Sequence, residues 1–315
     1  MIWYKKRVRK LFKFTQLLRH PSIQFRRRSH SGRAERGPFA PSEIANLYEQ
    51  FIIEGFISGS FFELKKGKNM KEITSLENPI IKKVVQLASV KGREQYGQFI
   101  AEGLRTCQTL VQSPVALDTF FVTLDSFEQA KTFVSEHKIV LVSDAVMKKI
   151  APTKTPSGFL GIFAIPHLPL PDKLVPGIVL CEISDPGNFG TLIRSAVAFD
   201  LPQIISVGGV DPWNPKVIQA CAGTIGFARI ISLNWNQLVQ YPQRPKLCAL
   251  VARGGEPIGP DMHGSLLVVG SEAHGLPEQW ISACEQHATL AMPGGTESLN
   301  AAIAGAIALY LVVNK

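Results

Sequence analysis

The chain is poor in cysteine, lacks any long apolar run and carries almost no net charge beyond its first forty residues. Its five cysteines in 315 residues, Cys107, Cys181, Cys221, Cys248 and Cys284, are scattered, with no C-x-x-C pair and no histidine at metal-ligand spacing. That pattern argues against a zinc site or a disulfide framework and reads as buried free thiols in a reducing compartment. The longest apolar run, Ala301 to Val313, is shorter than the roughly 20 residues of a membrane span and reads as a buried helix. No membrane and no metal are expected as partners. The G-x-G-x-x-G fingerprint, the Walker loop and the G-x-S-x-G elbow are also missing. Gly208-Gly209 is too little for a nucleotide fold, and Ser271 with His274 three residues away makes no hydrolytic triad.

Charge is unevenly spread. Residues 1–41 hold twelve Lys or Arg against the single acid Glu35, so +11 of a total of +9 lies there and the remainder is at −2. Net charge alone is therefore a weak argument for nucleic acid. Residues 1–69 read as a basic extension that would be disordered: an organelle transit peptide, a phosphate-attracting arm, or a stretch upstream of a true start at Met70. The purine-rich codons that Lys65-Lys-Gly-Lys-Asn69 allows would suit a translated ribosome-binding site just before Met70.

Two domains are expected after Met70. In residues 70–165, an amphipathic helix starts at Pro79, a strand over Gln98 to Gly103 enters a helix through about Leu110, strands cover Thr119 to Thr123 and Ile139 to Val142, and a helix runs from Asp144 to Ile150 behind a Ser143 or Asp144 cap. A turn and last strand end at Ala164, closing a small α/β unit. Residues 166–176 contain Pro166, Pro169, Pro171 and Pro176 and form a linker. Residues 177–315 alternate strand and helix, the mark of an α/β fold with a mostly parallel sheet. Strands are expected at 178–183, 204–207, 247–251, 266–269 and 288–291, and helices at 191–199, 216–222, 277–284 and 300–313.

Three polar Gly/Pro loops follow strands of this second domain: Asp185-Pro-Gly-Asn-Phe-Gly-Thr-Leu-Ile-Arg194, Val269-Gly-Ser-Glu-Ala-His-Gly275 and Met292-Pro-Gly-Gly-Thr-Glu-Ser-Leu-Asn300. Ligands bind at the carboxyl ends of strands in open α/β sheets, so three such loops point to one site. In the first, Pro186-Gly187 reads as a sharp turn, Asn188 offers an amide and Arg194 a guanidinium. In the second, Gly270 permits close backbone approach and Glu272 is free to anchor Arg194 or a catalytic amide. In the third, Ser298-Leu299-Asn300 leads into the last helix, with Ser298 as its cap and Asn300 in its first turn.

These loops, in this order, resemble the three signature motifs of the SpoU (TrmH-like) RNA 2′-O-ribose methyltransferases. Met70-Lys-Glu-Ile-Thr-Ser-Leu-Glu-Asn-Pro79 is similar to the opening of such enzymes, and residues 70–165 resemble the ribosomal-protein-like substrate-binding domain that precedes many of their catalytic domains. The resemblance implies a C-terminal trefoil knot, a homodimer with its site at the interface, S-adenosylmethionine as cofactor, and methylation of a ribose 2′-hydroxyl in structured rRNA or tRNA in the cytoplasm. It implies catalytic roles for Arg194, Asn188, Glu272, Ser298 and Asn300, and cofactor contacts from Gly270, Leu290, Met292 and Leu299. Ala291, where the family usually has proline, and Glu297 are mild departures in the cofactor loop. Lys82, Lys83, Lys91 and Arg93 are basic residues suited to RNA phosphates. A non-catalytic RNA- or ribosome-binding protein that keeps the fold is the alternative.

Overall fold

The computed structural model describes residues 25–28, 34–37, 72–295 and 298–314. The chain divides into two units, residues 1–70 and 71–315. In the first, strands β1 (Phe25–Arg28) and β2 (Ala34–Gly37) pair antiparallel, with Arg27 opposite Glu35. The other expectations for residues 1–69, and the choice between Met1 and Met70, lie outside the described residues.

The second unit holds two sheets. The smaller is built from β3 (Glu72–Ile73), helices α1 (Pro79–Gln86) and α2 (Val90–Tyr96), β4 (Gln98–Glu102), α3 (Leu104–Val111), β5 (Leu117–Val122), the single turn α4 (Phe127–Ala130), β6 (Ile139–Val142), α5 (Asp144–Ile150) and β7 (Phe159–Ala164). Its order is β3-β6-β5-β7-β4, parallel at β3-β6 and β5-β6 and antiparallel around β7. Pro79 sits at the start of α1 behind Asn78, whose Oδ1 accepts the Ile80 N–H at 2.9 Å. Proline there loses no helical bond and brings its φ already set. Ile81 and Val84 then point inward with Leu87, joining Phe121, Met147 and Ile162 in one core. Ser143 caps α5 through the Val146 N–H. The sequence pattern did not indicate α2, which is short and interrupted by Gly92 and ends on the left-handed Gly97.

The proline-rich segment lies pinned against the larger domain. Leu174 is fully buried, the Gln203 amide bonds both the N–H and the C=O of Val175, and Arg229 donates to the Pro169 carbonyl at 3.1 Å. The Tyr241 hydroxyl donates to the Pro171 carbonyl.

The larger sheet follows: β8 (Gly177–Cys181), α6 (Pro186–Ala198), β9 (Gln203–Val207), α7 (Pro215–Ala220), β10 (Arg229–Ser232), α8 (Trp235–Val239), β11 (Leu247–Leu250), β12 (Glu256–Pro257), β13 (Leu266–Val269), the turn α9 (Glu278–Ile281), β14 (Gln286–Thr289) and α10 (Ala301–Val313). All its pairings are parallel, in the order β10-β9-β8-β13-β11-β14-β12. Strands covered on both faces read as unbroken apolar runs, as β8 and β13 do. The chain moves outward from β8 to β10, crosses to β11 and β12 on the other side of β8, and then comes back to place β13 beside β8, so the direction of winding switches between β8 and β13.

Three expectations change. The helix placed at 191–199 starts five residues earlier, because Asp185 caps it and Pro186 occupies its first position, where proline is favoured. Pro186-Gly187 is thus the first turn of a helix and not a loop. The helix placed at 277–284 shrinks to one turn, and the strand placed at 288–291 lies two residues earlier.

Candidate functional site

The loops after β8 and β13 leave the sheet side by side at the switch of winding, where α/β sheets open a crevice. Glu272, from the β13 loop, reaches the β8 loop. Its Oε1 accepts the Asn188 side-chain amide at 2.9 Å and the Asp185 N–H at 3.3 Å, while Oε2 accepts the N–H and hydroxyl of Ser184, both at 3.3 Å. Asp185 Oδ1 accepts the Asn188 N–H at 2.8 Å and closes the start of α6.

The third loop joins through Asn300. Its Nδ2 donates to Asn188 Oδ1 at 3.1 Å, while its Oδ1 accepts the Ala302 and Ile303 N–H groups at 2.9 and 3.2 Å. Asn300, and not Ser298, is therefore the cap of α10, and it serves the cap and the cluster with opposite ends of one amide. Both ends of the Asn188 amide are in use. The three polar loops meet at this side chain.

Burial tends to push the Glu272 carboxyl up, but the Asn188 amide and the backbone N–H groups of Glu272, Ser184 and Asp185 outweigh that and hold it below the ordinary carboxylate value. It is an anion at neutral pH, with its donors already arranged.

Other residues singled out by sequence stand apart from the cluster. Arg194 is exposed on α6, and six residues along a helix from Asn188 places it about 120° around the axis, on a different face. Among the described residues it makes no ion pair. Ser298 and Leu299 lie exposed on the lead into α10, and Leu290 and Met292 are half-buried just after β14. Gly270 is required for a reason other than ligand approach. A Cβ there would sit 2.3 to 2.5 Å from the backbone of Gly275 and Leu276, because the loop folds back through paired Ser271 and Gly275.

Of the four basic residues assigned to RNA, Arg93 is not available. It is 2% exposed and ion-paired with Asp211, since a buried guanidinium has to be matched by acceptors. Lys82 is exposed and paired with Glu77, Lys83 lies over the Tyr96 ring, and Lys91 is exposed. A shallow polar depression lined by Glu256, Asp261, Glu285 and His287 contains none of the motif residues. Its acidic lining suits neither phosphate nor RNA. No group of residues able to hold a metal ion occurs among the described residues.

Sequence reasoning missed Ser184 as a donor to Glu272, and Asp185 as the helix cap. The Asp-Pro pair ahead of a helix was the available signal for the cap. Nothing local signalled the pairing of Arg93 with Asp211, 118 residues away.

Residues 176–310 match the family described as SpoU rRNA Methylase, and residues 78–161 match the MRM3-like substrate binding domain. A tRNA/rRNA methyltransferase of Synechocystis, itself described as uncharacterized, is 28% identical over 77% of this chain and 93% of its own length. The Bacillus subtilis 23S rRNA (guanosine(2553)-2′-O)-methyltransferase RlmP is 25% identical over 76% of this chain and 98% of its own. A crystal structure of an rRNA methyltransferase from Sinorhizobium meliloti in its AdoMet-bound form superposes with a TM-score of 0.67 at 27% identity, covering 77% of this chain and 97% of that one.

Proposed function

From a chain that joins an MRM3-like substrate-binding domain to a SpoU methylase domain, we propose an enzyme that methylates a ribose 2′-hydroxyl in structured RNA, rRNA or tRNA, with S-adenosylmethionine as donor. The observation that carries this reading is the meeting of the three polar loops at Asn188. A hydrolase or a nucleotide oxidoreductase has no use for that arrangement without its own nucleophile or glycine loop.

The loops fit the cofactor. Half-buried Leu290 and Met292 offer an apolar wall, while Gly275, Gly294 and Gly295 have open space where a side chain would stand. When bound, the sulfonium supplies a methyl group that is already activated, so the protein's share is positioning. Glu272 fixes the Asn188 amide, and Asn300 ties α10 to it, which gives the ribose a preorganised polar wall. Gly270 keeps the Glu272 loop closed. Ser298 and Leu299 flank the same entry to α10 and line the cofactor side. Arg194 offers a planar fork of N–H donors and no acceptor, so its task is to stabilise developing alkoxide and orient a neighbouring phosphate.

A homodimer completes the site. Arg194 is exposed and makes no hydrogen bond to the Asn188 cluster, and α10 leaves Ile303, Ile307 and Tyr310 between 40% and 53% exposed at helical spacing. The match to the SpoU family supports a C-terminal trefoil knot, and the five buried thiols suit a reducing compartment such as the cytoplasm. No helix among the described residues is long and apolar enough to cross a membrane. Lys82, Lys83 and Lys91 remain as phosphate contacts of the small domain.

Calorimetry with S-adenosylmethionine, followed by mapping of 2′-O-methyl groups in total RNA incubated with the protein, tests the reading. Cofactor binding and a new methylated ribose are expected. RNA binding without cofactor binding would point to the non-catalytic module instead.

A further inference from the structure

Arg93 does something other than bind RNA. It lies on α2 of the small domain, and both Nε and Nη2 reach Oδ2 of Asp211 in the large domain, at 2.7 and 2.5 Å. Nη1 donates to the carbonyls of Leu87 and Ala88 at 2.9 and 3.0 Å, so the guanidinium also ties the end of α1 to the joint. Asp211 uses its other oxygen to accept the Trp213 N–H at 3.0 Å, and the Trp213 ring packs 4.9 Å from the Phe99 ring on β4. Asn214 then caps α7. α7 in turn lies so close to α6 that a Cβ on Gly190 would stand 2.6 Å from Ala220 and 2.7 Å from the Val217 carbonyl. α6 is the helix that carries Asn188 and Arg194.

A continuous path of tight contacts therefore runs from the small domain to the candidate catalytic helix. A second contact runs beside it. Left-handed Gly223 approaches the Thr106 carbonyl on α3, and a Cβ there would meet it at 2.5 Å. The linker, which by sequence alone is a proline-rich spacer, is fixed along the large domain through Leu174, Val175, Pro169 and Pro171. Neither the joint nor the linker is built for a swinging arm.

We propose that Arg93 and Asp211 form a latch that makes the two domains one rigid body, so that RNA gripped by the small domain is presented to α6 at a fixed distance and angle. The proposal rests on the methyltransferase reading for its substrate, though not for its geometry. Arg93 and Asp211 are positioning residues, since neither belongs to the Asn188 cluster. They select the nucleotide by setting where the RNA falls.

The test uses the full chain carrying Glu136→Cys and Glu278→Cys, exposed positions in the small and large domains, with spin labels attached. All five native thiols are buried and leave those sites clean. Pulsed electron spin resonance should give one narrow distance distribution for the parent and a broad one once Arg93→Met is added. On a methyl-accepting RNA, Arg93→Met should raise KM by about tenfold and leave kcat within about twofold, because the bound RNA must then order the joint itself, while the geometry at α6, once formed, is the parent's. S-adenosylmethionine affinity should not change. Asp211→Asn can still accept the Trp213 N–H through Oδ1 but puts an N–H donor where Oδ2 accepted from Arg93; it should move both readouts in the same direction, and carries the test if Arg93→Met does not fold.

A distribution that stays narrow in both variants, or a KM for RNA that stays put while only thermal stability falls, overturns the proposal. If the parent protein binds no cofactor and transfers no methyl group, the enzymatic reading fails. The spin-label distances then still decide whether the latch exists.

Discussion

At the residue scale a single amide, Asn188, is where the three polar loops are joined. Held at one end by Glu272 and at the other by Asn300, it has one orientation available. Glu272→Gln keeps the shape but replaces a carboxylate that accepts four hydrogen bonds with an amide that brings two N–H donors of its own. Loss of methyl transfer by about 10- to 100-fold is expected, read as kcat with cofactor affinity measured alongside. The same carboxyl has a pH signature. Its folded value lies below the ordinary 4.5, so its contribution to stability is complete above that pH and is lost as pH falls through the lowered folded value. Thermal melts of the Gln variant should converge on the parent below pH 4.5 and differ from it at neutrality.

Arg194 and the thiols give two further expectations at this scale. Arg194→Ala should abolish methylation in a protein that melts normally and binds cofactor, since the exposed guanidinium supports no packing. Near-normal turnover would remove it from the mechanism. The cysteines should be inert. Burial pushes Cys107 and Cys284 up to about 12 and Cys248 up to about 11, and it raises Cys181 and Cys221 as well. Iodoacetamide at pH 8 should label none of the five in the native protein and all of them in urea.

At the scale of elements, α6 shows both what could be read and what could not. The Asp185 to Arg194 motif was visible as a string, but its Gly and Pro suggested a loop where a capped helix begins. Glycine at 190 is there for helix packing: its missing Cβ admits α7, and the atoms it would strike include the Val217 carbonyl and the Cys221 N–H, which are backbone and do not give. Gly190→Ala should cost about 1–3 kcal/mol, measured by denaturant unfolding. A cost below ~0.5 kcal/mol would mean that α6 and α7 can separate.

Strands buried on both faces, such as β8 and β13, were legible because an apolar run leaves few alternatives. α2, β10 and α8 were not. Each is short, and each is fixed by tertiary contacts: Arg93 on Asp211 for α2, pairing with β9 for β10, and for α8 the stacking of Trp235 on Trp280, 4.6 Å apart. The meeting of the three loops in one place was legible from strand-end logic. The roles within it were less so, because which oxygen Glu272 offers to which donor depends on strand order, and periodicity does not encode strand order.

For the whole molecule, the last helix sets the remaining question. α10 is apolar around its full circumference, with Ala302, Ala308 and Leu309 buried and Gly305 pressed against Leu192 on α6. A monomer would leave Ile303, Ile307, Tyr310 and Leu311 facing water at a helical repeat, and a continuous patch of that kind marks an interface. A self-complementary face of about 800 Å² per partner is what a stable two-fold contact needs, and a helix packed on its own symmetry mate through such residues is a direct way to supply it. The parent protein should therefore elute at twice the chain mass by light scattering. Ile303→Lys with Ile307→Lys should give a folded monomer, because two charges at the centre of an apolar contact cannot be paired there. If Arg194 acts on a site completed by the second copy, that monomer should also lose methyl transfer while its Asn188 cluster stays intact. A parent that is monomeric at micromolar concentration, or a double variant that stays dimeric, would place the interface elsewhere and leave the exposed face of α10 to another partner.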